Sequence, residues 1–252
     1  MRRMNIEERI NTVKKGFEAS FKEEKLYNKQ TKDEKHLNLI MNLIKLNDNE
    51  VVLDLGTGSG YLAFAISKEN PSNIVIGLDI VENTLKRNSE KAKQQNLSNL
   101  QFVAYDGVKL PFEDESVDVI YSRYALHHFP DIHYAFSELK RVLKPKGRIV
   151  LSDPTPNDND KTGFVDAFMK KKPDGHVKFY TKREFEELAN ENKFKIILNV
   201  MSEIRFPRED VDGYKDLLIE FDKEIVDGYN IQIIQDQIYI TEKVLNIVME
   251  KV

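Results

Sequence analysis

The stretch Val51-Val52-Leu53-Asp54-Leu55-Gly56-Thr57-Gly58-Ser59-Gly60-Tyr61 restricts what this chain can fold into more than any other. An apolar run of strand length ends in three alternate glycines, and a helix-forming segment starts at Tyr61. Glycine adopts positive φ freely and lets a ligand approach the main chain. A helix start adds unpaired N–H donors. Such a loop serves either as a tight strand-to-helix turn or as a ligand cradle. A dinucleotide fold uses G-x-G-x-x-G, with the pyrophosphate on the helix N-terminus. Here the spacing is G-x-G-x-G, and Asp54 stands two residues before the first glycine. An acid there suits a ligand with an ammonium group better than a diphosphate, and the methionine part of S-adenosylmethionine carries one beside its sulfonium.

The alternation of strand-length apolar runs and amphipathic segments continues along the chain. Strands are expected over 51–55, 74–78, 100–104, 117–121, 148–151, 195–201 and 237–249, the last run also being compatible with a helix. Helices are expected over 33–46, 61–68, 82–95, 131–143, 181–189 and 210–226, with a short one around Phe164 to Met169 and a loose-ended one within residues 1–30. Leu37, Ile40, Met41 and Ile44 mark one helical face, and Thr181 with Glu184 forms a capping box. Such alternation builds an α/β fold, a doubly wound and mostly parallel sheet covered by helices. Seven strands are expected in one domain: residues 1–45 as a helical cap, 46–153 as the cofactor-binding core, and 154–252 completing the sheet with helical lid insertions.

Composition removes several classes. Thirty-eight basic against 42 acidic residues give a net charge of −4, which provides no electrostatic footprint for nucleic acid or an anionic membrane. Cysteine is absent, so disulfides, thiolate metal sites and cysteine nucleophiles are excluded. No apolar run is long enough for a membrane span, and the polar start lacks the apolar stretch of a signal peptide. A cytoplasmic protein is expected.

Two further acids follow successive strands. Asp79 closes the second strand, 19 residues after Gly60, where a carboxylate can accept from ribose hydroxyls or cap a helix. Tyr105-Asp106-Gly107 follows the third strand. Asp106 can accept from an adenine amino group or simply shape an Asp-Gly turn. Three acid-bearing loops at consecutive strand ends favour a ligand in the crevice beyond them.

These motifs, with Leu110-Pro111-Phe112 and Arg141-Val142-Leu143-Lys144-Pro145-Lys146-Gly147, resemble class I S-adenosylmethionine-dependent methyltransferases, a Rossmann-like fold. The resemblance is strongest to the ubiquinone/menaquinone-biosynthesis C-methyltransferase branch, particularly in Ser122-Arg123-Tyr124-Ala125-Leu126-His127-His128-Phe129. It covers roughly residues 50–153. It implies S-adenosylmethionine as cofactor and S-adenosylhomocysteine as product. It places Asp54, Gly56, Thr57, Gly58 and Gly60 around the methionine moiety, and Asp79 and Ile80 at the ribose and adenine. Asp106 and Gly107 take the adenine edge, Arg123 lies beside the cofactor, and Tyr27 closes over it.

Methyl transfer from a sulfonium needs alignment and exclusion of water more than proton transfer. Where the acceptor must lose a proton, histidine is the side chain tuned for it near neutral pH. His127 and His128 follow the fourth strand, and with adjacent rings at most one is expected to enter the pocket; a cap or main-chain contact is the plain alternative. His36, His133 and His176 sit in charged segments and are expected to be solvated. No cluster has metal-ligand spacing, so no metal is expected. Phe17, Phe21, Phe164, Phe168, Phe179, Tyr180, Phe206, Tyr214 and Tyr229 either pack covering helices or line a partly apolar acceptor site. The expected function is methyl transfer to a small molecule, with no nucleic-acid partner. A non-enzymatic S-adenosylmethionine binder and an NAD-dependent oxidoreductase are the alternatives.

Overall fold

A computed structural model describes residues 5–20, 33–43, 45–209 and 211–252. Its centre is one sheet. Strands β1 (Val51–Leu55), β2 (Ile74–Asp79), β3 (Leu100–Ala104), β4 (Val117–Arg123) and β5 (Leu143–Thr155) run parallel in the spatial order 3-2-1-4-5. Beyond β5 come the antiparallel β8 (Gln237–Lys251) and then β6 (Phe194–Arg208) at the edge.

Seven strands therefore form the main path, as expected. An eighth, β7 (Gln232–Ile234), hairpins onto the start of β8. The run over 237–249 is a strand: alternate residues are buried from Ile238 to Glu242, and both faces are buried from Val244 to Met249. It lies between β5 and β6, so alternate residues reach opposite apolar layers.

The parallel strands read as continuous apolar runs because helices cover both faces. On one face α5 (Ile132–Val142) and α7 (Lys182–Glu191) bury Phe136, Leu139, Phe185 and Leu188 against Leu53, Leu55 and Ile120. On the other, α2 (Glu34–Leu43), α3 (Tyr61–Glu69) and α4 (Glu82–Gln94) bury Ile40, Leu62, Ile66 and Ala92 against Val52, Val119 and Tyr121. The capping box is present: Thr181 Oγ1 accepts from Glu184 N, and Glu184 Oε2 accepts from Thr181 N.

The second half departs from expectation in length. β6 runs to Arg208 rather than ending near Met201, and it pairs with β8 as far as Arg208 opposite Ile238. This ribbon outruns β5, whose pairing with β8 stops at Thr155 opposite Lys243. The overhang carries a second core: Ile238 and Ile240 pack with Phe164 and Phe168 of α6 (Phe164–Lys170), Tyr214 of α8 (Val211–Glu220), and Tyr229. The single helix expected over 210–226 is two. Asp222 breaks it, its side chain capping α9 (Lys223–Asp227) through Glu224 N. Helix α1 (Ile6–Ser20) lies across the strand ends, its Val13 and Phe17 buried against Val81.

Candidate functional site

The glycine loop lies directly beyond β1. Gly56 has φ 73°, and the N–H groups of Gly56 and Thr57 both donate to Leu78 O, at 2.8 and 3.0 Å. A Cβ on Gly56 would fall 2.4 Å from the Ala125 Cβ, so only glycine fits both the backbone and the gap.

Asp54 lies under the loop. Its Oδ2 accepts from Thr57 Oγ1 at 2.7 Å and from Ala63 N in the first turn of α3 at 3.1 Å. Asp79 ties the loop to β2, its Oδ2 accepting from Gly58 N at 2.9 Å and its Oδ1 from Val81 N at 3.0 Å. Burial raises both carboxyls, Asp54 to about 6, against the pull of these hydrogen bonds. Both sites would relax if a cation came to rest beside them.

Above these groups a cavity of about 930 Å³, open mouth included, sits at the C-terminal ends of β1, β2 and β4. Asp54, Gly56, Thr57, Gly58 and Asp79 form its floor, and Ile80 and Gly107 one end. Arg123 and His128 line it from the β4 side. Gly60 stands just outside, as the N-cap of α3 with φ 78°. Ile10, Val13 and Phe17 of α1 supply an apolar wall, which makes α1 part of the cover.

Asp106 departs from the expected arrangement. Its Oδ1 accepts from Val108 N and Lys109 N at 2.8 and 2.9 Å, and it borders a separate outer depression with Glu7 and Ile10. The local turn engages Oδ1, and of the three acids only Asp54 and Asp79 line the cavity. Tyr27 and Phe21 lie outside the described residues.

The adjacent histidines have different surroundings. His127 Nδ1 lies 2.6 Å from Asp153 Oδ1, while Asp153 Oδ2 accepts from His127 N at 3.0 Å. Burial lowers His127 and raises Asp153 to about 7. Both directions describe one net-neutral pair holding a proton between them. His128 borders the cavity, with Phe17 edge-on to its ring at 4.8 Å. Burial holds it well below the usual histidine range, with His127 adding to the shift, so it is neutral at physiological pH. Its Nδ1 is buried and has no hydrogen-bond partner among the described residues.

Two other histidines are not solvated, contrary to expectation. His36, one turn before Ile40, shares its buried face on α2. Its Nδ1 receives Arg123 Nε at 3.1 Å and lies 2.8 Å from Tyr124 Oη; its Nε2 is 3.2 Å from Ser152 Oγ. Because Arg123 Nε can only donate, Nδ1 is the accepting nitrogen. Burial, then Arg123, lowers His36 to about 4. His176 is enclosed as well, with Nε2 2.8 Å from Asp166 Oδ1. His133 is exposed, as expected.

Sequence reasoning passed over Tyr124 and Asp153. Tyr124 lines the cavity with φ 56°, a conformation uncommon for a bulky side chain. Asp153 sits near the end of β5, the same strand-end position whose acids were informative after β1 and β2. Among the expected aromatics, Phe17 reaches the cavity, while Phe164, Phe168, Tyr214 and Tyr229 belong to the second core.

A family model described as a methyltransferase domain matches residues 46–196. The chain is similar to the uncharacterized methyltransferase YcgJ of Bacillus subtilis, 32% identical over 158 residues, or 62% of each protein. It is also similar to the demethylmenaquinone methyltransferase of Staphylococcus carnosus, 36% identical over 140 residues, or 54% of each. The chain thus spans between half and two thirds of the length of these curated relatives. The crystal structure of YcgJ superposes with a TM-score of 0.74 at 26% identity, covering 87% of this chain and 99% of that one. Protein BH2331 of Bacillus halodurans shares the fold, with a TM-score of 0.76 at 23% identity and coverage of 86% and 99%.

Proposed function

The chain belongs to the methyltransferase-domain family, and from that premise we propose that it binds S-adenosylmethionine and transfers the methyl group to a small-molecule acceptor. The observation that carries this reading is the pair of buried carboxylates, Asp54 and Asp79, on the floor of one largely apolar cavity. A carboxylate has about four acceptor positions. Asp79 gives one from each oxygen to Gly58 and Val81, leaving capacity for ribose hydroxyls. Ile80, Tyr105 and Gly107 offer a flat, apolar end for adenine. Asp54, on the opposite side of the glycine loop, would face the ammonium of the methionine part. When bound, the cofactor supplies an activated, electrophilic methyl group.

The chain's own residues then have three tasks. Val13, Phe17 and Phe129 exclude water from the cavity. Neutral His128 accepts a hydrogen bond or a proton from the acceptor, being the titratable group on the β4 wall with a spare ring nitrogen. His127, locked to Asp153, positions His128 from behind; the two rings are 4.1 Å apart. The enclosed site and the balanced surface charge favour a small acceptor over nucleic acid.

Isothermal titration with S-adenosylmethionine tests the reading. Saturable one-to-one binding is expected, and Asp79→Ala should abolish it. No heat of binding to the unmodified chain would overturn the proposal.

A further inference from the structure

Behind the wall formed by Tyr124 and His128 lies a second, smaller chamber of about 470 Å³, open mouth included. Those two residues border both spaces, so the chamber adjoins the cavity where methyl transfer is proposed. Its far side is built from the segment after α6 and from the β6–β8 ribbon where it overhangs β5. Lys172 and Asp174 come from the first, Arg208 and Glu242 from the second.

Most of the charges here are already matched. Lys172 Nζ is 3.0 Å from Asp174 Oδ2, His176 pairs with Asp166 at 2.8 Å, and His127 pairs with Asp153 at 2.6 Å. Arg208 and Glu242 are different. The approach of Arg208 Nη2 to Glu242 Oε1 is 3.6 Å, too long for a hydrogen bond. Arg208 Nε and Glu242 Oε1 are buried with no hydrogen-bond partner among the described residues, and the same is true of His128 Nδ1. Buried polar atoms are rarely left so, since each loses its hydration without replacement. Three such atoms belong to residues that line this one chamber: His128 Nδ1, Arg208 Nε and Glu242 Oε1. One is an N–H donor beside a charge, one is a carboxylate acceptor, and the two charges balance.

We propose that this chamber recognises the methyl acceptor by an uncharged head group that both accepts and donates hydrogen bonds, of hydroxyl or carboxamide type. The head sits between Arg208 and Glu242, and the atom to be methylated lies on the Tyr124–His128 side. The inference rests on the methyl-transfer reading and deepens it. Arg208 and Glu242 fall outside residues 46–196, so the two charged groups set against the head come from parts of the chain that the family model does not cover, while most of the remaining lining lies within it. Burial raises the Glu242 carboxyl to about 7 against the pull of Arg208; an anionic head is therefore the competing occupant to separate.

Ligand-observed NMR on the full chain saturated with S-adenosylhomocysteine makes that separation, with phenol, benzamide, benzoate and benzylamine as matched probes. Phenol and benzamide should bind about tenfold tighter than the two ions, the change expected from one well-placed hydrogen bond to a charged group. Glu242→Gln leaves the Arg208 charge unbalanced and should move the preference to benzoate. Arg208→Gln should move it to benzylamine, and carries the test with the opposite sign if the first variant does not fold. Benzoate winning on the unmodified chain, a probe order unchanged by either variant, or no probe binding at all would overturn the proposal. Failure of S-adenosylhomocysteine itself to bind, read separately by calorimetry, would instead defeat the methyl-transfer reading and this inference with it.

Discussion

Asp54 shows how burial sets the chemistry of one side chain. Desolvation raises its carboxyl from 3.8 to about 6. A raised carboxyl favours the neutral form in the folded chain, so its contribution to stability declines as pH rises through that interval. A cationic ligand beside it acts in the opposite sense, favouring the ionised form. Affinity for S-adenosylmethionine should therefore be full above about pH 6 and weaken below it, by up to about tenfold per pH unit. Calorimetry between pH 5 and 7.5 measures this, and a flat profile would remove Asp54 from contact with the ligand. Gly56 is constrained by space as well as conformation. Gly56→Ala places a Cβ 2.4 Å from Ala125 at φ 73°, and urea unfolding should show a loss of about 1–3 kcal/mol. His128→Asn should retain cofactor affinity. With an acceptor found by labelled-methyl transfer, it should lower kcat by about a hundredfold or more if that acceptor must lose a proton.

Among the elements, α6 depends on one residue before it. Asp160 Oδ1 accepts from Gly163 N and Phe164 N, and Oδ2 accepts from Val165 N and the Tyr229 hydroxyl. One carboxylate thus satisfies the start of the helix and anchors the second core. Asp160→Ala leaves buried donors unpaired and should cost at least about 2 kcal/mol in chemical denaturation. Thr181→Ala removes half of an ordinary capping box on α7 and should cost about 1 kcal/mol. Equal losses in the two variants would show that Asp160 does no more than cap. The Thr181 box was legible in the sequence because its partners lie three residues apart. Asp160 was not, since its fourth partner, Tyr229, is brought to it only by the β6–β8 overhang.

For the whole molecule, the cavity joins α1 to the strand ends, so a ligand there should tie the cover to the sheet. S-adenosylhomocysteine at a hundredfold excess over its Kd should stabilise the folded chain by about 2.7 kcal/mol. For a chain of 252 residues that is a rise in Tm of about 5–10 °C. NAD at the same concentration should give none; a larger shift with NAD would favour a dinucleotide site instead.

Sequence alone determined the succession of strands and helices in the first half, the mostly parallel sheet they form, and the acids and glycines that line the crevice beyond β1 and β2. In a parallel sheet each β–α unit delivers its own strand-end loop to the same edge, so Asp54, Gly56 and Asp79 announce themselves within a few residues of their strands. Asp106 carries the same strand-end signal, but its turn sets it at the outer depression beside the cavity rather than in its lining. The long β6–β8 ribbon, the burial of His36 and His176, and the chamber shared by Tyr124, His128, Arg208 and Glu242 were decided only in three dimensions. Antiparallel pairing sets their neighbours through register between distant strands, and no local spacing encodes which polar atom will be left without a partner when those strands meet.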